Sequence, residues 1–203
     1  MTLFINKIIS SIIQVMFFAM IPFIWWFVTA RKEIGFIQWI GLKRFDNVRK
    51  SKVWVWMILV TLVFMVLGAT TLYLLKDVEM ATSEFAGQGA QAVPAIIIYA
   101  AFNTAFPEEL LFRGFLLKRL RSKFGFGIAN TIQAILFGLL HGVMFFYLIG
   151  IVKAILVIVL TGTIAWFMGY TNEKKADGSI IPSLVIHMAA NIFSGLCSAF
   201  LLI

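Results

Sequence analysis

The chain contains a single cysteine, Cys197, so it can form no disulfide bond within itself. Charged side chains are also scarce: they make up 13% of the 203 residues, whereas soluble domains average about 25%. The apolar fraction is 62%, against an average of about 45–50%. A soluble domain of this length could not hide that much apolar surface. The composition therefore predicts lipid as the solvent for most of the chain.

Acidic residues are fewer than basic ones, 9 against 17, which gives a formal net charge of +8. In a soluble protein this balance would suggest nucleic-acid binding. Here the basic residues cluster in short segments between apolar runs, which is the pattern that sets membrane orientation and contacts anionic headgroups. We therefore expect the lipid bilayer as a partner and no nucleic acid.

Six apolar segments are each long enough to cross a bilayer, which takes about 20 residues. They cover approximately residues 4–29, 53–75, 93–119, 127–149, 151–172 and 180–203. The first is too long for the apolar part of a signal peptide, and Trp25 and Trp26 suit a membrane interface, so we expect a retained span. Without a repeat or a second domain, the sequence predicts one all-α domain over residues 1–203, a polytopic membrane bundle of about six helices.

The connections between the segments predict an orientation. Residues 31–52 carry seven Lys/Arg and two acids, whereas residues 77–91 carry three acids and no base. Residues 118–123 are basic again. By the positive-inside rule the first connection, 31–52, and the third, 118–123, lie in the cytoplasm, and so does the fifth, 172–179. The second connection, 77–91, lies outside, as do both termini. The second connection can form either an interfacial helical turn or a loose loop.

Ionisable residues inside membrane spans are rare and usually face a bundle interior or a wet cavity, so each is a functional candidate. Lys and Arg near helix ends are set aside because they can snorkel to the interface. The remaining deep polar set is Glu108, Glu109 and Arg113 in the third segment, His141 in the fourth, and His187 and Asn191 in the sixth. The two histidines are the only ones in the chain.

The third segment contains FPEELLFRG, residues 106–114. Glu109 and Arg113 are four apart, so they share a helix face and can pair, while Glu108 lies about 100° round the helix. We expect Arg113 to neutralise Glu109 as structural support and Glu108 to face a cavity, where it suits a general base. Pro107 lacks an N–H and can kink the helix just before Glu108. These residues alone fit equally an ion network that orients helices.

The fourth and sixth segments each offer a looser pattern. Gly138 and Gly142 form a GxxxG pair that lets a neighbouring helix approach closely, with His141 between them on an adjacent face. His141 is either a site residue or a core histidine bonded across helices. His187 and Asn191 are four apart on one face, so they can donate to a developing oxyanion or form an ordinary interhelical hydrogen-bond pair.

The depth of these residues is an independent test. Counted along the helices, Glu108 lies roughly 16 Å, His141 about 20 Å and His187 about 10–13 Å from the cytoplasmic helix ends. They therefore fall in one layer of the cytoplasmic half, although they come from three segments. A common depth favours one shared site, and we expect these side chains to surround a single polar, hydrated cavity.

Three short motifs occur in order on separate segments: EELLFR fits EExxxR, FGLLH fits FxxxH and HMAAN fits HxxxN. In these motifs the chain resembles the CAAX-protease and bacteriocin-processing (CPBP) family of intramembrane endopeptidases, also called the abortive-infection family, over about residues 93–195. The resemblance implies peptide-bond hydrolysis in a water-filled cavity. Glu108 and His141 would then polarise the attacking water, and His187 and Asn191 would stabilise the oxyanion. The second glutamate and the arginine of the first motif would support the site.

The leading hypothesis is an intramembrane endopeptidase that cleaves a peptide or membrane-protein substrate near the cytoplasmic side of a cell membrane. Bacterial relatives suggest bacteriocin processing, self-immunity or peptide signalling. Eukaryotic prenyl-protein proteases of this type are longer, which favours a bacterial role over a prenylated CAAX substrate. The alternatives are a non-catalytic membrane immunity or scaffold protein and a small transporter, which would lack the internal repeat of many transporters.

A zinc site is the alternative mechanism. Glu108, His141 and His187 could supply three ligands, with water in the fourth place. The chain has no HExxH pair, however, and Asn191 is a poor zinc ligand. We therefore favour a glutamate-activated water without a metal cofactor.

Overall fold

The computed structural model describes residues 2–45, 50–76 and 78–202. Within these ranges the chain forms helices and turns and no strand, which confirms the all-α class. The physical reason is that lipid offers no hydrogen-bond partner for the backbone, so a long apolar segment must satisfy its amides internally, as a helix does.

The described part of the chain has α-helices, and in its second half π-helical segments lie between some of them. The α-helices are α1 (Thr2–Thr29), α2 (Phe36–Trp39), α3 (Lys50–Leu74), α4 (Val93–Ile98), α5 (Phe106–Glu109), α6 (Lys118–Tyr170) and α7 (Ile181–Ala199). The π-helical segments are Tyr99–Ala105, Leu110–Leu117 and Thr171–Lys175. From residue 93 to residue 175 the chain is therefore helical almost throughout.

Two glycines break this long helical path. Gly125 has φ 75° and ψ 169°, and Gly150 has φ 74° and ψ 170°. Glycine adopts positive φ at no steric cost, so both turns fall where the sequence allows them. They divide α6 into pieces 118–124, 126–149 and 151–170. The basic residues 118–123, which we expected in a connection, are instead the last turns of the helix that begins at residue 93.

Four helical stretches of the described residues are long and apolar enough to cross a membrane: Thr2–Thr29, Lys52–Tyr73, Gly89–Lys175 and Ile181–Ala199. The third has 87 residues and contains both glycine breaks. These stretches fit a multi-pass membrane protein. The count of six spans and the orientation stay predictions.

α7 lies at the centre of the bundle. It packs against α3, α4 and the π-helical segment Tyr99–Ala105, and α1 packs against the same segment from another side. α1 exposes a long row of aliphatic and aromatic side chains, as expected of a helix that faces lipid. The polar residues on α5 and α7 are thereby kept inside the bundle. α7 ends at Ala199, before the predicted limit of 203.

Pieces 126–149 and 151–170 of α6 approach each other closely. A Cβ atom on Gly138 would lie 2.5 Å from the backbone oxygen of Ile158 and 3.3 Å from Gly162. Asn130 adds a polar contact, since its Nδ2 donates to the backbone oxygen of Trp166 at 2.9 Å. The close approach predicted from the GxxxG pair is confirmed.

The first connection is part of the bundle. Trp39 and Ile40 are buried, and the backbone oxygen of Gly41 accepts a hydrogen bond from the N–H of Ile180 at 2.9 Å. Residues 46–49 of this basic connection lie outside the described residues.

The second connection is built from two short 3₁₀ turns, Ser83–Phe85 and Gly89–Ala92. Phe85 is fully buried, and Ser198 Oγ donates to the backbone oxygen of Thr82 at 2.7 Å. This connection is therefore a packed cap over α7 that contains helical turns, which agrees with the first of the two alternatives, a helical turn, and not with a loose loop. Asp77 lies outside the described residues.

An ion-pair cluster ties the start of α6 to the connection before α7. Glu173 is buried and pairs with Lys118 at 3.1 Å and with Arg121. Lys118 Nζ also donates to the backbone oxygen of Gly178 at 2.6 Å. The cluster fixes the position from which α7 enters the bundle.

Five of the six tryptophans lie in or beside the basic connection 31–52, and the sixth lies near the end of α6, beside the connection 172–179. They are Trp25 and Trp26 near the end of α1, Trp39 in α2, Trp54 and Trp56 in the first turns of α3, and Trp166 near the end of α6. Tryptophan favours membrane interfaces, so this end of the bundle carries the interfacial belt.

Candidate active site

α5 carries Glu108 and Glu109 and is only four residues long. It lies between the π-helical segments Tyr99–Ala105 and Leu110–Leu117. Pro107 is its second residue and has no N–H, so the preceding turn lacks one hydrogen bond. The sequence predicts a loosened helix here, and the structure shows it as widened turns on both sides of α5. Such π-helical turns are frequent at functional sites.

Glu109 and Arg113 form a fully buried ion pair. Arg113 Nη1 donates to Glu109 Oε1 at 2.8 Å, so the pairing expected from the four-residue spacing is observed. The guanidinium also lies over the ring of Phe137, 4.5 Å from its centroid. A cation over an aromatic face gains a further favourable contact.

His187 lies between the two adjacent glutamates. Its Nδ1 is 3.0 Å from Glu109 Oε1, and its Nε2 is 3.8 Å from Glu108 Oε2. Since the ion-paired carboxylate of Glu109 can only accept, Nδ1 carries a hydrogen and donates it. This hydrogen bond fixes the orientation of the imidazole ring and points Nε2 toward Glu108.

The carboxylate of Glu108 lies beside His187, a residue that lines the cavity described below. The two nitrogens of one imidazole point in different directions, so two adjacent glutamates can flank it. That Glu108 faces the cavity stays a prediction. Glu108 Oε2 is buried and has no hydrogen-bond partner among the described residues.

A cavity of about 150 Å³ lies between α3, the middle of α6 and α7. His141, His187 and Asn191 line it together, so the structure brings three of the predicted residues to one space. Most of the lining is apolar, with Phe64 and Phe137 among the larger side chains. That the cavity is polar and hydrated stays a prediction.

His141 is half-buried and is held by Phe137. Its Nδ1 lies 2.9 Å from the backbone oxygen of Phe137, and the two rings lie 4.5 Å apart. A carbonyl oxygen can only accept, so Nδ1 carries the hydrogen and Nε2 of the neutral ring keeps a lone pair. His141 thus offers a hydrogen-bond acceptor near the cavity.

Asn191 is held from the opposite helix by Thr104. Asn191 Nδ2 donates to Thr104 Oγ1 at 2.6 Å. Thr104 belongs to the π-helical segment Tyr99–Ala105 that precedes α5, so this bond joins α7 to the segment that leads into the glutamates.

Two site residues escape the sequence reasoning. Phe137 contacts Arg113, His141 and His187, yet the sequence marks it only as the first letter of the FxxxH motif. Thr104 carries no charge, so the rarity of ionisable residues in membrane spans does not single it out. The available signal is its position, four residues before Glu108 in an apolar run.

Glu108, His141 and His187 are the three residues that could bind zinc. Among the described residues no group of three or more His, Cys, Asp and Glu side chains is gathered closely enough to hold a metal ion. Glu108 and His187 are neighbours, but His141 is not gathered with them into a three-ligand group. The described residues thus do not bring Glu108, His141 and His187 together as one ligand set, and the metal-free mechanism stays a prediction.

A family model described as type II CAAX prenyl endopeptidase, Rce1-like, matches residues 90–193. The chain belongs to this family. The matched range runs from the turn before α4 into α7, and it contains all six of the polar residues singled out above. No curated protein matches the chain, and no solved structure matches it.

The Rce1-like assignment places the chain in the CPBP family, as the three motifs indicated. It supports a CAAX-type intramembrane protease role and peptidase activity in general. Together with the long apolar helices, it fits a multi-pass membrane protein. The match does not extend to α1, α2 or α3.

Proposed function

We propose that this Rce1-like chain hydrolyses a peptide bond with a water molecule activated by Glu108. The observation that carries the proposal is the buried Oε2 of Glu108, which has no hydrogen-bond partner in the described part of the chain and lies 3.8 Å from Nε2 of His187. When the ring of His187 is neutral, its Nε2 is an acceptor, as is the carboxylate oxygen of Glu108. The two atoms are also too far apart for a direct hydrogen bond. A water about 2.8 Å from each would donate to both, which is the position that a nucleophilic water needs beside its base.

Other buried polar atoms in this region support a hydrated centre. Glu109 Oε2 and Arg113 Nε and Nη2 also lack hydrogen-bond partners among the described residues. Buried polar groups in proteins nearly always find a partner. Several such atoms on Glu108, Glu109 and Arg113 therefore favour a centre that takes up water and the polar backbone of a substrate.

The reaction follows from these positions. Glu108 removes one proton as the water oxygen attacks the carbonyl carbon of the scissile bond. The carbonyl oxygen becomes an oxyanion and accepts a hydrogen bond from Asn191 Nδ2. When the C–N bond breaks, the proton held by Glu108 passes to the leaving nitrogen. The products are a carboxylic acid and an amine, and the Glu108 carboxylate is restored.

The two histidines take different parts in this proposal. His187 is the imidazole next to Glu108, so we assign it the contact with the attacking water, which the family resemblance gave to His141. His141 offers its Nε2 lone pair to the cavity side, where it can accept a hydrogen from a substrate N–H. Glu109 and Arg113 keep the supporting role that their burial and pairing favour.

We further propose six spans, because pieces 126–149 and 151–170 of α6 each have the length of about 20 residues that a crossing requires. The substrate in this proposal is a peptide or membrane protein cut near the basic, cytoplasmic end of the bundle. Bacteriocin processing, self-immunity and peptide signalling in a bacterial membrane are the contexts that we propose for it.

Comparative proteomics of membrane peptides tests the proposal and needs no identified substrate. Cells that carry the wild-type chain are compared with cells that carry Glu108→Gln, which keeps the shape of the side chain and removes the base. We expect a defined set of cleaved peptides to be lost. Glu79→Gln is the matched control, since Glu79 is an exposed glutamate in the second connection. Identical peptide sets in wild type and Glu108→Gln would overturn the catalytic assignment.

The same variant distinguishes the proposed protease from the alternative, a non-catalytic immunity or scaffold protein. If the chain acts by binding alone, Glu108→Gln and His141→Ala keep the biological protection of the wild type. Loss of protection together with loss of cleavage supports the protease.

A further inference from the structure

We propose that Thr104 is a positioning residue that sets the orientation of the Asn191 side-chain amide. The inference rests on the proposed function, in which Asn191 stabilises the oxyanion. It adds a residue outside the three motifs to the requirements of the site.

The Thr104 hydroxyl is fixed by the backbone of its own helix. Its Oγ1 lies 3.1 Å from the carbonyl oxygen of Ala100 and 3.2 Å from that of Tyr99. These residues lie four and five positions earlier, and the π-helical turn brings both carbonyls within reach. Carbonyl oxygens only accept, so the single hydroxyl hydrogen of Thr104 is directed at them.

This leaves Thr104 Oγ1 as an acceptor toward α7. The atom of Asn191 at 2.6 Å from it must therefore be a donor, which is Nδ2 and not Oδ1. Turning the amide by 180° would place two acceptors against each other. Thr104 thus selects one of the two amide orientations of Asn191.

The selected orientation matters because Nδ2 has two hydrogens. One is given to Thr104, and the other stays free for a substrate oxygen, since Asn191 lines the cavity. Without Thr104 the amide can turn and present Oδ1, which would repel an oxyanion. A preorganised donor acts on charge that develops in the transition state, so the loss falls on kcat and leaves KM nearly unchanged.

The decisive variants are Thr104→Val, which keeps the branched shape and removes the hydroxyl, and Thr104→Ser, which keeps the hydroxyl. The probe is an internally quenched synthetic peptide that spans a Glu108-dependent cleavage site from the proteome comparison, assayed with the full chain in detergent. Removal of one oxyanion donor lowers kcat by about 10²–10³-fold. We expect Thr104→Val to lower kcat by about tenfold to a hundredfold, within that limit, and Thr104→Ser to restore it. Thr104→Ala replaces Thr104→Val if the latter does not fold.

A double-mutant cycle with Asn191→Ala shows whether Thr104 acts through Asn191. If it does, Thr104→Val has no further effect on kcat once Asn191 is alanine. A residue that only stabilises the bundle would lower the activity by the same factor in both backgrounds. Equal factors in both backgrounds would overturn the proposal.

Thr171 supplies a matched control. Its Oγ1 accepts a hydrogen bond from Trp56 Nε1 at 2.8 Å and donates to the backbone oxygen of Phe167 at 2.8 Å. Thr171→Val thus removes the same type of cross-helix bond outside the site. We expect it to lower thermal stability as much as Thr104→Val does, without the change in kcat.

The outcomes separate this inference from the proposed function. If Glu108→Gln abolishes cleavage and Thr104→Val matches wild type in kcat, only the role of Thr104 is wrong. If no Glu108-dependent cleavage exists in cells, the proposed function is wrong and the role of Thr104 is overturned with it.

Discussion

His187 donates its Nδ1 hydrogen to Glu109 Oε1, the same oxygen that accepts a hydrogen bond from Arg113. One buried carboxylate therefore both neutralises the arginine and orients the imidazole. Hydrogen bonds of this kind fix the tautomer and the direction of a histidine ring. The supporting pair and the proposed catalytic residues are thus joined through a single atom, and the following predictions separate their roles.

The variant Glu109→Leu tests the structural role of the pair. It leaves the Arg113 guanidinium buried without a counter-charge, so we expect a loss of stability of about 3–5 kcal/mol. Combining it with Arg113→Met should restore much of that stability, because no unpaired charge remains. The free energy of unfolding in mixed micelles measures both. The double variant should stay inactive, since His187 has lost its orienting acid; full activity would show that the hydrogen bond to Glu109 is dispensable.

The variant Glu108→Gln tests the proposed base. Oε2 of Glu108 has no hydrogen-bond partner among the described residues, so the fold should tolerate the amide and the melting temperature should stay close to that of wild type. General-base catalysis typically contributes about 10²–10⁴-fold, and kcat should fall by that amount. A variant that melts much earlier than wild type would instead point to a structural role for Glu108.

Chelation tests the metal-free mechanism. We expect purified enzyme to keep its activity after treatment with EDTA, because the reaction proposed here uses protein groups and water. Activity that disappears with EDTA and returns with zinc would contradict this prediction. Metal analysis of the purified protein before chelation is the control.

The variant Gly138→Ala tests the close contact within α6. The added methyl group would lie 2.5 Å from the backbone oxygen of Ile158, so pieces 126–149 and 151–170 must separate. Overpacking of this kind costs about 1–3 kcal/mol, and it also displaces His141 in the next turn. Gly127→Ala is the control on the same piece, because its Cβ would meet no atom within 4 Å. Equal stability of the two variants would show that the contact is not tight.

The extent of the long helices could be predicted from hydropathy alone. In the structure, both ends of α1 and α3 and the start of α7 lie within a few residues of the predicted limits. The same method could not find α2 or the burial of Ile40, because α2 has only four residues, too few for a helical period to appear in the sequence. Its position depends on Gly41 and Ile180, which are far apart in the sequence.

The site was predictable where it depends on one helix. The spacing of Glu109 and Arg113 sets their contact at 2.8 Å, and the sequence contains that spacing. The placement of His187 between Glu108 and Glu109 depends on how α7 crosses α5, which no single segment encodes. The π-helical turns around α5 could not be found from a helix with the usual angle of about 100° per residue throughout.

In the proposed six-span topology, the one-sided distribution of the tryptophans makes the intrinsic fluorescence of this protein a reporter of a single leaflet. In sealed vesicles, iodide added outside would quench only those molecules whose basic end points outward. The quenched fraction therefore gives the proportion of inserted molecules in each direction, without a label and without a substrate.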